Sequence, residues 1–154
     1  MGQEIERKFL VADDGWRADV ERSVAVTQGY LALTDRAVIR VRIVDDATAT
    51  LTIKSAASGA VRDEFEYAIP LDDARALLAL HLGRLIEKRR HIVRIAGARW
   101  EIDVFAGDHQ GLVLAEIELA DAASPIDPPP WLGREVTGEA RYYNARLAST
   151  DDGV

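Results

Sequence analysis

The sequence predicts a mainly β, α+β fold: an eight-stranded antiparallel β-barrel or tunnel, closed or partly open, with flanking helices. Three observations carry this prediction. Alternating segments recur along the chain, short turns separate most of them, and most have one charged and one apolar face. Because successive side chains of a strand point to opposite faces, the alternation places charges inside a polar tunnel and apolar residues outside, partly under the helices.

Eight segments have the period-two pattern that is expected of strands. They are residues 4–10, 23–33, 38–44, 50–54, 61–69, 86–93, 100–105 and 112–119. Turn-forming residues such as Asp45-Asp46 and Gly107-Asp108 separate them. Short connections favour antiparallel neighbours, and closure of the sheet removes its exposed edges.

Two helices are predicted beside the strands. The first begins at Asp72 or Asp73, either of which can cap it, and runs to about Leu82. The second begins at Thr137, also a good capping residue, and runs to about Leu147. The three tryptophans are expected to pack in the core or against the helices.

Composition limits the classes of function. The 154 residues predict a single domain, residues 1–148, followed by a frayed tail, residues 149–154. Nineteen basic and 26 acidic residues give a net charge of −7, which argues against a nucleic-acid partner bound through bulk positive charge. The chain has no cysteine, so a metal would need oxygen ligands or the three histidines.

The apolar residues do not predict a membrane protein or a secreted one. No run of about 18 apolar residues occurs, and the start, Met1-Gly2-Gln3-Glu4, lacks the apolar region of a signal peptide. We therefore expect a cytoplasmic protein that has no membrane partner.

The first strand segment has a wholly charged face, formed by Glu4, Glu6 and Lys8. Carboxylates two residues apart in a strand are separated by roughly 7 Å, at about 3.3 Å of rise per residue. They can share a hard cation, which prefers oxygen ligands, and the lysine can attract an anion that the cation holds. Taken alone, the segment is also typical of an edge strand whose charges face water.

Later strands repeat this charged face, with the charges sorted by sign. The doublets are Arg40 with Arg42, Glu64 with Glu66, Lys88 with Arg90, and Glu116 with Glu118. A polar face open to water would be expected to mix basic and acidic residues along each strand. Sorting by sign favours a charged tunnel interior instead.

The ordered charges resemble the signature of the CYTH superfamily, also called triphosphate tunnel metalloenzymes. In the order of that family, the chain has Glu4-x-Glu6-x-Lys8, Arg40-x-Arg42, Lys54, Glu64-x-Glu66, Lys88-x-Arg90, Asp103 and Glu116-x-Glu118. Its Pro128-Pro129-Pro130-Trp131 segment is similar to that of the short bacterial inorganic triphosphatases. One ExExK motif is weak evidence, whereas this series spans nearly the whole chain.

The resemblance implies an eight-stranded tunnel that binds a small anionic triphosphate with Mg²⁺, or with Mn²⁺. Activities in the family include inorganic, thiamine and RNA triphosphatases and class IV adenylyl cyclase. The short chain, without a recognisable nucleoside or thiamine pocket, favours hydrolysis of tripolyphosphate to pyrophosphate and phosphate. The family also suggests a homodimer.

The charged residues suit a triphosphate and a divalent metal ion. Cations suit a long, anionic triphosphate, and arginine forks match phosphate oxygens. The predicted triphosphate-binding residues are Lys8, Arg40, Arg42, Lys54, Lys88 and Arg90. Glutamates would repel a bare triphosphate but can hold Mg²⁺, directly or through water. The predicted metal ligands are Glu4, Glu6, Glu64, Glu66, Glu116 and Glu118, with Asp103 added by the resemblance.

Tyr30 and Lys54 are the predicted catalytic residues. Tyr30 lies in Gln28-Gly29-Tyr30-Leu31, which resembles a motif of the short triphosphatases. Lys54 can lower the pKa of the phenol by charge proximity, so that the pair activates a water molecule. Alternatively, Tyr30 only packs and its hydroxyl is hydrogen-bonded.

Three other functions stay open at this point: thiamine triphosphatase, adenylyl cyclase and a non-catalytic binding module. An adenylyl cyclase would be expected to have a His-Phe pair shortly before ExExK, but only Met1-Gly2-Gln3 precede Glu4. A non-catalytic module that binds triphosphate or polyphosphate belongs to a different class. Anion binding alone would not require the predicted metal-binding carboxylates.

Overall fold

The computed structural model describes residues 2–56 and 60–149, and within them one antiparallel sheet of nine strands. The strands are β1 (Gly2–Val11), β2 (Val20–Leu33), β3 (Ala37–Val44), β4 (Thr48–Ser55), β5 (Val61–Ile69), β6 (Leu82–Ile95), β7 (Ala98–Phe105), β8 (Val113–Glu118) and β9 (Leu132–Glu135). Residues 57–59 of the loop before β5, and the predicted frayed tail except Ser149, lie outside the described residues.

The first eight strands form a closed barrel, which confirms the predicted fold. Their order is β5-β4-β3-β2-β6-β7-β8-β1, and β1 also pairs with β5 from Gly2↔Glu64 to Ile5↔Val61. The ninth strand, β9, was not predicted and pairs with β1 beside Phe9 and Val11. It has only four residues, too few for a recognisable alternation.

Two apolar clusters lie on the outside of the barrel, as the alternation predicts. One contains all three tryptophans, Trp16, Trp100 and Trp131, each at most 2% exposed. Their predicted packing role is therefore confirmed. The other joins the outer faces of β3 and β4 to Ala74 and Leu78 of the first helix.

A third apolar cluster fills part of the barrel interior. It joins Tyr30, Ile86, Phe105 and Leu114 to residues from the C-terminal part of the chain, including Ala148. Alternation places Ile86 on the face of β6 that carries the basic doublet, and Leu114 on the acidic face of β8. The apolar cluster therefore occupies one end of the barrel, and charged side chains occupy the rest.

The first helix is shorter than predicted. Helix α1 covers Leu71–Leu78, and Pro70 rather than an aspartate stands at its N-cap. Asp72 and Asp73 lie in the first turn, where their negative charges interact favourably with the positive end of the helix dipole. The chain turns after Leu78, and Leu82 already belongs to β6. No helix in the described part of the chain is long and apolar enough to cross a membrane.

The prediction of a single second helix over residues 137–147 is wrong. This region has a turn at Thr137 and Gly138, a 3₁₀ helix over Ala140–Tyr142 and a short helix α2, Asn144–Leu147. The hydroxyl of Thr137 accepts a hydrogen bond from the backbone N–H of Lys8 at 2.8 Å, and Gly138 has φ +82°. Contacts with the barrel thus replace the hydrogen bonds that a continuous helix would make.

Candidate active site

The barrel encloses a charged cavity of about 180 Å³. Its wall includes every site residue predicted from the sequence except Asp103. The predicted residues on this wall come from seven strands of the barrel, and the matching parity of their positions brings them together. Their individual roles remain predictions.

The charges in the cavity are divided between two walls. Strands β5, β1 and β8 are neighbours, and the acidic wall consists of their residues Glu4, Glu6, Glu64, Glu66, Glu116 and Glu118. Strands β3 and β6 flank β2, and the basic wall consists of Arg40, Arg42, Lys88 and Arg90. The sorting by sign along the sequence thus becomes a separation by sign across the cavity.

Two lysines lie among the carboxylates of the acidic wall. Lys54 Nζ lies 2.8 Å from Glu4 Oε2, and Lys8 Nζ lies 3.5 Å from Glu116 Oε1. Burial opposes ionisation of both glutamates, but the neighbouring lysine and a hydrogen bond with Glu6, joined at Glu116 by the charge of Arg90, together outweigh it and lower the pKa of each. Six carboxylates with two lysines leave this wall with an excess of negative charge.

Crowding also changes the ionisation of other carboxylates in the acidic wall. Burial and the adjacent charge of Glu116 raise the pKa of Glu6 to about 9. Burial and the charge of Glu4 raise the pKa of Glu64 to about 7. At neutral pH, Glu6 therefore shares a proton with Glu116 when no metal ion is bound beside them.

Two arginines of the basic wall, Arg40 and Arg42, have neutral partners, whereas Arg90 pairs with Asp103 and Glu101. Arg42 Nε donates to Gln28 Oε1 at 2.7 Å, and Arg40 Nη2 donates to Thr52 Oγ1 at 3.3 Å. Arg40 Nε is buried without a hydrogen-bond partner among the described residues. Burial, together with the charges of Arg40 and Arg90, lowers the pKa of Arg42 to about 9, so its guanidinium still carries charge at neutral pH. Like charges gathered in this way favour a bound anion.

Asp103 lies behind the basic wall rather than on the cavity surface. It is 1% exposed, accepts two hydrogen bonds from Arg90 at 2.8 and 2.9 Å, and lies 2.8 Å from Lys88 Nζ. Burial opposes its ionisation, but Arg90 and Lys88 outweigh that effect and lower its pKa. This arrangement favours orientation of two cations; the predicted role as a metal ligand is untested.

The two predicted catalytic residues have different surroundings. Tyr30 is 4% exposed, lines the cavity and also packs in the inner apolar cluster, opposite Arg40 in the β2–β3 pair. Lys54 lies opposite Glu64 in the β4–β5 pair, and its ammonium contacts Glu4. The general-base role and the packing role of Tyr30 both remain open.

Residues of the C-terminal segment (residues 140–149) reach the cavity, and the sequence analysis did not predict this. Lys8 Nζ donates to the carbonyl oxygen of Tyr142 at 3.2 Å. Asn144 lines the cavity, and the guanidinium of Arg62 lies 4.6 Å from the ring centre of Tyr143. Of these residues, only Arg62 has a sequence pattern that points to the cavity, because it shares a strand face with the acidic doublet of β5. Tyr143 and Asn144 are neutral residues in a segment with a helical pattern, and nothing in the sequence places them at the cavity.

The chemistry of the acidic wall fits a divalent cation that binds together with phosphate. Among residues 2–56 and 60–149, no three carboxylate or imidazole side chains converge on a ready-made metal site. Mg²⁺ does not need one, because it keeps several waters and is usually held by one or two carboxylates plus substrate phosphates. Crowded carboxylates that hold a proton between them suit such an ion, since its charge would replace the proton.

Comparison with known proteins agrees with this geometry. The family model of the CYTH domain matches residues 2–148. The chain belongs to the CYTH domain family. A relative from Acetivibrio thermocellus named inorganic triphosphatase is 40% identical over 148 residues, which cover 96% of this chain and 94% of the relative.

A second CYTH relative comes from Nitrosomonas europaea. It is also named inorganic triphosphatase and is 39% identical over 150 residues, which cover 94% of this chain and 96% of the relative. The crystal structure of the inorganic triphosphatase NE1496 is similar to this structure with a TM-score of 0.70, at 39% identity and 99% coverage of both chains.

Proposed function

We propose that this CYTH protein hydrolyses inorganic tripolyphosphate to pyrophosphate and phosphate, with Mg²⁺ as its cofactor and Mn²⁺ as an alternative. One observation carries the proposal: a basic and an acidic wall face each other across one cavity. A polyanion and its cation need these two walls together. Two relatives at 39–40% identity that are named inorganic triphosphatase support the choice of substrate.

The basic wall binds the triphosphate. Arg40, Arg42 and Arg90 present planar donor groups that match phosphate oxygens, and the free Nε of Arg40 adds a donor. Lys8 and Lys54 lie beside the glutamates and can contact phosphate oxygens that approach the acidic wall. Phosphoryl transfer depends mainly on such positioning and on charge stabilisation.

The acidic wall holds the cation. Glu4 and Glu116 pair with the two lysines, Glu6 lies beside Glu116, and Glu64, Glu66 and Glu118 extend the wall. When bound, Mg²⁺ would supply positive charge that offsets the negative charge of the phosphates. Asp103, if it is not a ligand, keeps Lys88 and Arg90 directed toward the substrate.

The reaction adds one water molecule across a P–O–P bond. The water oxygen bonds to a terminal phosphorus, the bridging P–O bond breaks, and pyrophosphate leaves. Tyr30 in its deprotonated form is the candidate acceptor of the proton from this water, and Lys54 is the candidate positively charged partner of that form. The cytoplasmic location and the homodimer remain predictions.

Release of phosphate from tripolyphosphate, ATP and thiamine triphosphate, measured side by side with and without Mg²⁺, tests the proposal. We expect the highest kcat/KM with tripolyphosphate, one pyrophosphate per phosphate released, and no turnover in excess chelator. Faster hydrolysis of either organic triphosphate would contradict the proposed substrate. Tight binding of tripolyphosphate without turnover would favour the non-catalytic module.

A further inference from the structure

A hydrogen-bond chain joins the C-terminal segment to two cations of the basic wall. Lys88 Nζ donates to Asn144 Oδ1 at 2.9 Å, and Gln28 Nε2 donates to the same oxygen at 3.1 Å. Gln28 Oε1 in turn accepts a hydrogen bond from Arg42 Nε at 2.7 Å. One amide oxygen of α2 is thereby connected to cations on β6 and, through β2, on β3.

The chemistry at both ends of the chain determines how the two amides are oriented. Ammonium and guanidinium groups can only donate hydrogen bonds. The oxygen of Asn144 must therefore face Lys88, and the oxygen of Gln28 must face Arg42. The NH₂ group of Gln28 then points toward Asn144, where it meets an acceptor. Reversing either amide would place donors against donors and leave buried groups unpaired.

We propose that Asn144 is a positioning residue, which sets the places of Lys88 and Arg42 before a triphosphate binds. The inference rests on the proposed function, because it assumes that these cations bind phosphate. The amide oxygens of Asn144 and Gln28 are neutral, so they orient the cations without adding negative charge to that of Asp103, which already lies beside Lys88. A carboxylate in the place of either amide would cancel more of the charge that attracts the anion.

Lys88 keeps a donor for the substrate in this arrangement. An ammonium has three N–H groups. Among the described residues, Asn144 Oδ1 accepts a hydrogen bond from one of them at 2.9 Å, and Asp103 forms an ion pair with the ammonium at 2.8 Å. The third N–H is left for a phosphate oxygen, since Lys88 lines the cavity. Asp103 and Asn144 thus hold the flexible side chain of Lys88 in one orientation.

The expected effect of Asn144 is on affinity. Ordering a lysine and an arginine during binding costs side-chain entropy, and holding them beforehand removes part of that cost. Without the oxygen of Asn144, Lys88 loses one partner and Gln28 loses the acceptor that aligns it with Arg42. We expect Asn144→Ala to raise KM for tripolyphosphate about tenfold, equivalent to about 1.4 kcal/mol, and to change kcat by less than about threefold.

The control must separate positioning from simple attachment of the C-terminal segment. His109 Nε2 donates to the carbonyl oxygen of Leu147 at 2.7 Å, so His109 holds the same segment from a position that is not on the cavity wall. His109→Ala should loosen α2 without touching the basic wall. The melting temperatures of His109→Ala and Asn144→Ala show whether the two variants are destabilised to a similar degree.

Binding is measured by calorimetry with Mg²⁺ and imidotriphosphate, whose bridging NH groups prevent hydrolysis. We expect a Kd about tenfold higher for Asn144→Ala, as for KM, and an unchanged Kd for His109→Ala. In addition, Gln28→Leu and Asn144→Ala together should raise Kd by much less than the product of their separate effects, because they interrupt one chain.

Three results would overturn the inference. An unchanged Kd in Asn144→Ala would refute the positioning role of Asn144. The same rise in Kd in His109→Ala, at an equal loss of stability, would also refute it. Independent effects of Gln28→Leu and Asn144→Ala would contradict the chain. If the wild type itself bound no imidotriphosphate, the proposed function would fail as well, and the wild-type titration therefore distinguishes the two failures.

Discussion

The acidic and basic walls of the cavity are stabilised in different ways. On the acidic wall, Glu4 and Glu116 have lysine partners, and Glu6 holds a proton. On the basic wall, Arg40 and Arg42 have only neutral hydrogen-bond partners among the described residues. One wall therefore keeps excess negative charge and the other keeps excess positive charge, each available to a ligand of the opposite sign.

The largest expected effect concerns the acidic wall. Glu116→Gln keeps the shape of the side chain but removes the charge of a proposed metal ligand, and kcat for tripolyphosphate should fall by about 10³-fold, since a metal ion contributes several kcal/mol to such a reaction. Glu135→Gln is the matched control, because Glu135 pairs with Arg7 outside the cavity. Measurement of kcat over a range of Mg²⁺ concentrations checks this. A variant that keeps wild-type kcat in excess chelator would refute the role of this wall.

Tyr30 comes next in expected size. If its hydroxyl accepts the proton of the attacking water, Tyr30→Phe should lower kcat by about 10²-fold, as is typical when a general base is lost. Tyr67→Phe, on an exposed side chain, is the control. Steady-state kinetics and circular dichroism together give the answer. An unchanged kcat in a folded variant would leave Tyr30 as a packing residue.

A smaller change, mainly in KM, is expected on the basic wall. Arg42→Gln removes a charge that we propose contacts phosphate, and KM for tripolyphosphate should rise about 10- to 100-fold, the size expected for hydrogen bonds to charged groups. Arg94→Gln is the matched control, because Arg94 pairs with Glu21 on the surface. If Arg42→Gln lowers kcat by 10³-fold and leaves KM unchanged, the two walls do not divide binding and catalysis between them.

The smallest effect concerns stability. The folded-state pKa of Glu6, about 9, lies above its ordinary value of 4.5, so its favourable contribution to stability is complete below that value and is lost as the pH rises toward 9. In chelator, Glu6→Gln should therefore raise the melting temperature relative to the wild type, by an amount that grows from pH 5 to pH 9. Saturating Mg²⁺ should reverse the sign, since only the wild type binds the ion fully. A difference that does not vary with pH would contradict the crowding of Glu6 and Glu116.

Sequence reasoning succeeded where the signal was periodic. Residues such as Arg40 and Arg42 alternate with apolar neighbours, so their shared face could be inferred before their strands were paired. Asp103 also has the right parity, but only the register shows that it lies behind Arg90 and Lys88. The parity of a position predicts which face of the sheet a side chain lies on. Whether that side chain reaches the cavity surface depends on which residue of the neighbouring strand lies opposite it.

The C-terminal segment shows where such reasoning ends. Its sequence predicts a continuous helix, because Thr137 is a good cap and the residues after it suit a helix. Hydrogen bonds from Lys8 and Lys88, which are distant in sequence, hold this segment at the cavity instead. Asn144 is a neutral residue without a motif, so only the three-dimensional structure could place it beside two cations.

The most direct test of the two-wall account is a crystal structure with Mn²⁺ and imidotriphosphate, with anomalous scattering used to locate the manganese. The account predicts manganese beside the carboxylates of the acidic wall and phosphates against Arg40, Arg42 and Arg90. Phosphates that lie against the glutamates without manganese between them, or manganese among the arginines, would contradict it.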